Sequence, residues 1–517
     1  MSQNIRIELL PLGKTLTVER DTPLQDALFA QGVEFPCGGR GRCKGCKIKV
    51  LAGALPVTAE DEQKLTRAEI AAGWRLACRA RATGDLKIEL AQWEAAILAD
   101  DSVFEFTPQE GLGVAVDLGT TTIAGQLLDL RTGHVLAVRT ALNAQARHGA
   151  DVMSRIEFAC AGGLEKLTKL AREQIGGLIA ELVSAAKTTT GLKSVVVVGN
   201  TVMHHLFCGL SVEPLSHHPF KPGDDGLQVF RAGELGWEFP AGDAGRGLTS
   251  AATSVRFLPC LGGFVGSDLL AGILATKLHE SERPVALIDL GTNGEIVIGN
   301  REKIRCASTA AGPAFEGARI SMGMRAATGA ISEVHVEAGQ IRCHVLGNVE
   351  PRGICGSGLV DAVASGLELG LVRPNGRLTA NGEWMLQPPV FLTQWDIREL
   401  QLAKGAIAAG VRTLAQQWGA RMTDIARVYL AGAFGNYIRR ASARRIGLLD
   451  FPPEKIQSAG NTALLGAKLA LFNLDSDDGC FSKLRQRIRH VSLNEDPSFQ
   501  EIYAHEMQFP ATASASP

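Results

Sequence analysis

Hydrophobic and polar residues alternate at the start of the chain, the pattern of a β-strand with one buried face. The alternation returns after a turn, and apolar residues at helical spacing follow. The predicted elements are a hairpin at residues 5–10 and 15–18, a helix ending at Gly32, a strand at 46–50, a helix from Thr58 and a strand at 86–90. Residues 1–95 therefore have the predicted order hairpin, helix, strand, helix, strand.

Two continuous apolar runs later in the chain, residues 114–118 and 286–290, have the length of buried strands. Each run holds an aspartate near its end and continues through a glycine- and threonine-rich turn into another strand. Aligning Asp117 with Asp289 also aligns the segments that follow. A repeat this far apart indicates two similar lobes, each beginning strand–turn–strand.

Other segments are less regular. Residues 164–187 show helical spacing, and residues 428–431 are a buried strand that runs into a glycine turn. Residues 213–247 are rich in turn residues and are predicted to be a surface insertion. Residues 476–517 are polar, and we expect this C-terminal extension to be partly disordered.

Composition narrows the function classes. The chain has 517 residues, 45% of them apolar, and a net charge of −1, so neither a nucleic acid nor a membrane is an expected partner. We find no signal-peptide core near the first residue and no apolar run of transmembrane length. Eleven cysteines fit a reducing compartment, and we expect a cytoplasmic protein.

The cysteines near the start form the sharpest motif. Three of them have the spacing C-x5-C-x2-C with glycines between, and a fourth follows after a helix-length interval. This pattern indicates a 2Fe–2S cluster, in which each iron takes two thiolates. Zinc is the alternative, although zinc sites usually pair two close C-x2-C units. The predicted ligands are Cys37, Cys43, Cys46 and Cys78.

Basic residues surround this motif, namely Arg40, Arg42, Lys44 and Lys47. They are either ordinary solvated charges or groups that steer an acidic partner to the cluster. The sequence favours neither interpretation.

The duplicated turns predict a nucleotide site. Glycines let backbone amides approach phosphate oxygens, and threonine hydroxyls add donors. An aspartate at each strand end, Asp117 and Asp289, can hold Mg²⁺ through water or orient an attacking water. The predicted phosphate-binding residues are Gly119, Thr120, Thr121 and Thr122 in the first copy and Gly291, Thr292 and Asn293 in the second. Gly432 and Gly435 would let adenosine lie against the backbone. The alternative interpretation of the duplicated turns is that they are two purely structural hairpins.

Further motifs have structural interpretations at least as good as functional ones. The pairs His204–His205 and His217–His218 lack a third metal ligand at a convincing spacing, so a structural role is favoured. Glycine-rich stretches at residues 260–268, 310–317 and 353–358 either line the nucleotide site or are structural turns.

Residues 1–95 resemble the plant-type ferredoxin domain, and the order of the later glycine loops resembles the actin-like ATPase superfamily. The implied fold class is an α+β β-grasp ferredoxin domain followed by a duplicated α/β actin-like (RNase H-like) ATPase with two lobes. The expected domain bounds are 1–95 for the ferredoxin domain, 96–110 for a linker, 111–280 and 281–475 for the lobes, and 476–517 for the extension.

The combination resembles the reductive activators of corrinoid proteins, as do residues 199–205, 262–268 and 353–358. This resemblance implies a cobalamin-dependent methyl-transfer protein as partner, whose Co(I) occasionally oxidises to Co(II). The activator would return one electron from its cluster while hydrolysing ATP, and an upstream donor would reduce the cluster. A homodimer is possible, although the linker here is shorter than in relatives that have extra segments.

Two rival functions remain open on the sequence. One is an ATP-gated electron donor to another enzyme. The other is a small-molecule kinase with a redox-sensing ferredoxin domain. The stimulus of ATP consumption separates them: a corrinoid protein for the activator, and a small hydroxyl compound for the kinase.

Overall fold

The computed structural model describes residues 4–10, 14–29, 31, 41, 46–90, 106–149, 151–188, 190–239, 253–291, 293–317, 319–324, 326, 329–379, 382–435, 437–473 and 479–511. The chain divides into two compact units. The first unit is Met1–Ala275 with Thr462–Gln486, and the second is Thr276–Asn461 with Arg487–Pro517. No helix in the described part of the chain is both long and apolar enough to cross a membrane.

The N-terminal region is a five-stranded sheet in the order β2-β1-β7-β4-β5. Its elements are β1 (Asn4–Leu10), β2 (Lys14–Glu19), β3 (Thr22–Pro23), α1 (Leu24–Phe29), β4 (Lys47–Ala52), α2 (Ala59–Lys64), α3 (Arg67–Ala71), β5 (Trp74–Leu76), β6 (Arg81–Ala82) and β7 (Leu86–Leu90). β1 pairs antiparallel with β2 and parallel with β7. The alternating residues Ile5, Ile7 and Leu9 are buried, which confirms the predicted hairpin and the β-grasp fold.

The first lobe contains a six-stranded sheet in the order β10-β9-β8-β11-β13-β12. Its strands are β8 (Leu112–Leu118), β9 (Thr122–Asp129), β10 (Val135–Leu142), β11 (Leu192–Val198), β12 (Gln228–Arg231) and β13 (Ser254–Phe257). Its helices are α4 (Val152–Phe158), α5 (Leu164–Ala186), α6 (Thr201–Cys208) and α7 (Ser267–Ala275). The valines of β8 and β11 are buried on both faces of the sheet, as their continuous apolar runs predict.

The second lobe has a six-stranded sheet in the order β23-β22-β14-β15-β16-β24. Its strands are β14 (Val285–Leu290), β15 (Gly294–Gly299), β16 (Ile304–Thr309), β22 (Val428–Ala431), β23 (Ile456–Gly460) and β24 (Ile488–His490). Smaller sheets contain β17 (Ala330–Glu337), β18 (Gln340–Val345), β19 (Gly353–Ile354), β20 (Glu383–Gln387) and β21 (Val390–Thr393). Its helices are α8 (Gly356–Glu368), α9 (Gln394–Trp418), α10 (Gly432–Gly435), α11 (Arg440–Arg445) and α14 (Phe499–Glu506).

Five strands correspond between the two large sheets. β8 pairs antiparallel with β9, β9 antiparallel with β10, and β8 parallel with β11, which in turn lies parallel to β13. The same pairings join β14, β15, β16, β22 and β23 in the second sheet. The predicted duplication and the actin-like fold class are therefore confirmed.

Two of the predicted segment assignments differ from the structure. Helix α12 (Thr462–Asn473) packs on α7 and β8 of the first unit, although the sequence assigned it to the second lobe. Its apolar residues decide this placement, since Leu464, Ala467 and Leu471 are buried. Residues 213–247 are not merely a surface insertion, because Trp237 and Phe239 lie in the core of the first lobe.

The structure describes residues 479–511 of the C-terminal extension; residues 476–478 and 512–517 lie outside the described part. It forms α13 (Gly479–Arg487), β24 and α14. Beyond α14 the backbone is fastened to α9, where the side chains of Gln401 and Lys404 donate to the carbonyls of Met507 and Gln508 at 2.8 and 2.6 Å.

Candidate functional site

The pairing of β4 with β5 brings two of the predicted cluster cysteines close together. Cys46 precedes β4, and Cys78 lies in the 3₁₀ turn that follows β5. Lys47 pairs with Leu76, and the next residue, Ala77, donates its N–H to the Cys46 carbonyl at 3.0 Å. Both cysteines are buried. Cys37 and Cys43 lie outside the described residues.

The buried carboxylate of Asp61 fixes the strand that leads to Cys78. Asp61 forms a capping box with Thr58 at the start of α2, and its Oδ1 accepts a hydrogen bond from the Leu76 N–H at 2.7 Å. The sequence pattern predicted only the helix that begins near Thr58. The second role of Asp61 depends on a contact over fifteen residues, which no local pattern shows.

One residue of the cluster loop is described, and its conformation requires glycine. Gly41 has a φ of +66°, and a Cβ there would lie 2.8 Å from Cγ of Glu60. Glu60 in turn pairs with Arg79 at 2.5 Å, next to Cys78. Gly41 thus lies close to the turn that contains Cys78.

The side chain of Lys47 forms two contacts within the protein. Its Nζ lies 3.1 Å from the Glu69 carboxylate and 4.3 Å from the centre of the Trp74 ring. The pKa of Glu69 falls to about 2, mainly because the carboxylate accepts the Thr66 N–H. These contacts favour a structural role for Lys47; the other three basic residues lie outside the described part.

The first predicted phosphate loop follows β8. Asp117 lies at the end of this strand, and the Gly119 N–H donates to the Thr122 carbonyl at 3.1 Å. A Cβ at Gly119 would lie 2.6 Å from that carbonyl oxygen, so the turn needs glycine. Thr120 Oγ1 accepts a hydrogen bond from the Asn200 side chain at 2.9 Å, and Asn200 also caps α6.

Three consecutive carbonyls of this loop are held from the protein side. Those of Gly119 and Thr121 accept from Asn143, through Nδ2 and the backbone N–H, both at 2.9 Å. The carbonyl of Thr120 accepts from Nη2 of Arg155 at 2.6 Å. Neither Asn143 nor Arg155 was predicted from the sequence, because both lie beyond the glycine–threonine motif in segments with no recognisable sequence pattern.

The second phosphate loop has the same plan in the second unit. Asp289 lies near the end of β14, and the Gly291 N–H donates to the Asn293 carbonyl at 3.1 Å. Thr292 lies outside the described residues. Glu295 pairs directly with Asp289 across the two strands, where the first copy has Ala124 opposite Asp117. The Glu295 carboxylate was not among the site residues predicted from the sequence.

Parallel pairing of β14 with β22 brings Gly432, one of the two glycines predicted to contact adenosine, beside Asp289. Asp289 pairs with Ala431, and the next residue, Gly432, has a φ of +84°. A Cβ at Gly432 would lie 2.5 Å from Oδ1 of Asp289 and 2.7 Å from the Leu290 carbonyl. Gly435 ends the short helix α10 and packs on Leu430.

Comparisons with known proteins agree with this organisation. Family models match a 2Fe-2S iron-sulfur cluster binding domain at residues 7–83, the RACo middle region at 112–281 and the C-terminal ASKHA domain of RACo at 283–516. The corrinoid activation enzyme RamQ of Eubacterium limosum is 34% identical over 449 residues, which cover 80% of this chain and 74% of that protein. The chain belongs to the reductive activators of corrinoid proteins.

Two further relatives of this activator agree. The Co(II) methylated amine-specific corrinoid protein reductase of Methanosarcina barkeri is 28% identical and covers 77% of each chain. The solved structure of a reductive activator for corrinoid, iron-sulfur protein matches 98% of this chain and 99% of its own, with a TM-score of 0.68 and 27% identity. The domain family supports a 2Fe–2S cluster, and the ASKHA domain supports nucleotide binding.

Two glycine-rich stretches of the activator are close-packing devices. A Cβ at Gly266 would overlap the carbonyl of Gly199, and Ser267 Oγ accepts the Gly199 N–H at 3.1 Å. Similarly, a Cβ at Gly356 would overlap the carbonyl of Phe315. These contacts favour the structural interpretation of both stretches.

Two adjacent histidines of the activator's first lobe, His204 and His205, are buried and have backbone partners. His204 Nε2 lies 3.1 Å from the Gly226 carbonyl, and His205 Nδ1 lies 2.8 Å from the Thr201 carbonyl. Burial lowers the pKa of His204 to about 4, so both rings are neutral at pH 7. Within the described ranges, no three His, Cys, Asp or Glu side chains form a group that could hold a metal ion.

Proposed function

We propose that this protein is an ATP-dependent reductase that returns the Co(II) of a corrinoid protein to Co(I). The supporting observation is the joining of a ferredoxin-type domain to both phosphate loops of an actin-like ATPase, in a family whose named relatives activate or reduce corrinoid proteins. Each Co(II) that becomes Co(I) takes one electron from the cluster, and a separate upstream donor has to restore that electron.

Four thiolates would hold the cluster, namely Cys37, Cys43, Cys46 and Cys78. The described part of the site fits this role, because Cys46 and Cys78 are buried at adjacent strand ends and Gly41 gives the loop a conformation that other residues rarely adopt. A buried position lowers solvent access to the sulfur ligands, which is one of the factors that tune such a centre.

The chain's own residues would bind ATP at the two loops. Backbone amides of residues 119–122 and 291–293 would hold phosphate oxygens, and Gly432 and Gly435 would contact adenosine. Asp117 and Asp289 would carry Mg²⁺ through water and orient the attacking water. The position of Gly432 supports this arrangement. It lies close to Asp289 and has no side chain, so no side chain covers the backbone beside the carboxylate.

ATP is needed because the electron transfer is uphill. Plant-type clusters have potentials near roughly −400 mV, and the Co(II)/Co(I) couple of the family's partners lies lower. Each ~59 mV of a one-electron gap costs about a factor of ten in the equilibrium. ATP can close the gap only if it binds two states of the protein with different affinity.

Several finer statements belong to the same proposal. The predicted domain bounds, the cytoplasmic location, the Mg²⁺ ion, the upstream donor and a homodimer are expectations of the sequence and the family. Residues 462–486, which include α12, group with the first unit and residues 487–517 with the second, so the boundary proposed at residue 475 and the separate extension at 476–517 both change.

The direct test follows Co(I) formation. Reduced protein, ATP and a Co(II) corrinoid protein are mixed without oxygen, and the Co(I) absorbance is recorded. We expect its appearance to require both ATP and the reduced cluster. ATP consumption that responds to a small hydroxyl compound and not to the corrinoid protein would favour a kinase.

The Asp289→Ala variant separates the two halves of this activity. We expect it to lose ATP turnover, because the carboxylate that carries the metal and orients water is gone, and to keep the visible spectrum of the cluster. Normal ATP hydrolysis by this variant would refute the role of Asp289.

A further inference from the structure

Arg155 lies behind the first phosphate loop and is fully buried, with 0% of its surface exposed. Its guanidinium contacts neutral groups. Nε donates to the Gly149 carbonyl at 2.9 Å, Nη1 to Oε1 of Gln145 at 3.2 Å and Nη2 to the Thr120 carbonyl at 2.6 Å. Nη1 also lies 3.4 Å from the sulfur of Met203.

The carbonyls held by Arg155 and Asn143 fix the direction of the loop's amides. A trans peptide is planar, so each carbonyl and the following N–H point in opposite directions. The carbonyls of Gly119 and Thr120 point into the lobe, toward these two side chains. The N–H groups of Thr120 and Thr121 therefore point away from the interior, where a phosphate can reach them.

The charge of Arg155 is not balanced by a neighbouring carboxylate. Within the described ranges no carboxylate oxygen lies within the 4.0 Å of an ion pair with it. Burial lowers the pKa of Arg155 to about 10, and the negative charge of the exposed Asp151 opposes this shift. The side chain thus remains charged at pH 7 in a place where an unbalanced charge is costly.

We propose that Arg155 is a positioning residue for the polyphosphate of ATP. It holds the first phosphate loop in its binding conformation, and its buried positive charge is balanced by phosphate when the nucleotide binds. This inference rests on the proposed function, since it concerns the same ATP site. It goes beyond that function by adding a residue outside the glycine–threonine motif.

If the charge of Arg155 contributes to binding, its effect must differ between adenosine, ADP and ATP. An effect of charge grows with the number of phosphates, and therefore increases from adenosine to ADP to ATP. A merely structural role would weaken all three ligands alike, or none. Dissociation constants of the full-length, cluster-containing protein for the three ligands measure this difference without any turnover.

The key variants are Arg155→Gln, which removes the charge, and Arg155→Lys, which keeps it. We expect at least tenfold weaker ATP binding for Arg155→Gln, a smaller loss for ADP and unchanged adenosine binding. Arg155→Lys should lie between the wild type and Arg155→Gln. Arg172→Gln is the matched control, because Arg172 also donates to two backbone carbonyls in this lobe, those of Phe207 and Cys208. It should lower the melting temperature and leave ATP binding unchanged.

Gln145→Glu decides the question if the Arg155 variants do not fold. It keeps the guanidinium and places a carboxylate at the 3.2 Å contact with Nη1, which cancels the charge. Unchanged ATP affinity in a folded Arg155→Gln or Gln145→Glu protein would overturn the inference, and so would an equal loss for all three ligands. A wild-type protein that binds no ATP would overturn the proposed function itself and this inference with it.

Discussion

Gly432 shows how closely the backbone approaches a candidate catalytic side chain. Its φ of +84° belongs to the left-handed region, and its Cα faces Oδ1 of Asp289 with no room for a side chain. Two separate demands, backbone conformation and space, therefore require glycine here. The sequence motif indicated the glycine, but only the parallel pairing of the two strands places it beside Asp289.

A Gly432→Ala variant should lose ATP binding by at least tenfold, because its methyl group would displace the Asp289 carboxylate. Nucleotide titration of the variant measures this loss. Gly382→Ala is the matched control, since Gly382 also has a positive φ, +90°, but faces open space. That control should show only backbone strain, about 1 kcal/mol of stability. Equal ATP binding by the wild type and Gly432→Ala would argue against the packing described here.

His204 is a second residue whose burial has a measurable consequence. Its folded-state pKa of about 4 lies below the unfolded value of 6.5, so the unfolded chain binds more protons between these pH values. Stability is therefore fully present above pH 6.5 and is lost as the pH falls toward 4. For a fully buried ring the loss is on the order of 3 kcal/mol.

Urea unfolding at a series of pH values tests this expectation. The wild type should lose stability between pH 6.5 and 4, and His204→Gln should have a flatter profile. His217→Gln, a change at an exposed histidine, serves as control and should follow the wild type. An unchanged slope in His204→Gln would show that other groups cause the acid sensitivity.

At the level of elements, local signals were enough for much of the fold. The strand–turn–strand units, the hairpin and the cysteine spacing each depend on a short stretch of sequence, so they could be predicted from local patterns. The placement of α12 was not predictable in this way, because its residues are almost uniformly apolar and show no preferred face. Asn143, Arg155 and Glu295 were missed for a related reason: their roles arise from strand register and long-range packing.

The crossing of α7 and α12 gives a prediction at this scale. A Cβ at Gly466 would overlap the backbone of Ala271, so Gly466→Ala should destabilise the first unit by about 1–3 kcal/mol. Gly177→Ala, on the exposed side of α5 with open space around it, should instead stabilise by about 0.5–1 kcal/mol. Thermal unfolding of both variants measures the contrast, and a stable Gly466→Ala protein would contradict the close helix crossing.

For the whole molecule, the cluster ligands and the phosphate loops lie in separate parts of the sequence. Cys78 lies in the turn that follows β5 of the N-terminal region, and Asp289 belongs to the second unit. Binding of the cluster and binding of ATP should therefore be separable by mutation, although reduction of the corrinoid protein needs both.

Cys78→Ala should lose the visible absorption of the cluster and all Co(I) formation while it keeps the wild-type affinity for ATP. This is the mirror image of Asp289→Ala, and iron analysis, absorbance and nucleotide titration of the two variants form the comparison. Zinc in place of iron and sulfide in the anaerobically reconstituted wild type would remove the basis of electron delivery.

The return of residues 462–486 to the first unit affects how the protein is made. During synthesis the ribosome releases β8 and α7 long before α12, so the nascent first lobe keeps an apolar face uncovered until residues 276–461 of the second unit have been translated. A fragment that stops between the lobes would keep that face exposed and would be prone to aggregate. Fragments of the ATPase designed for expression should therefore keep residues 462–486 with the first unit and residues 487–517 with the second.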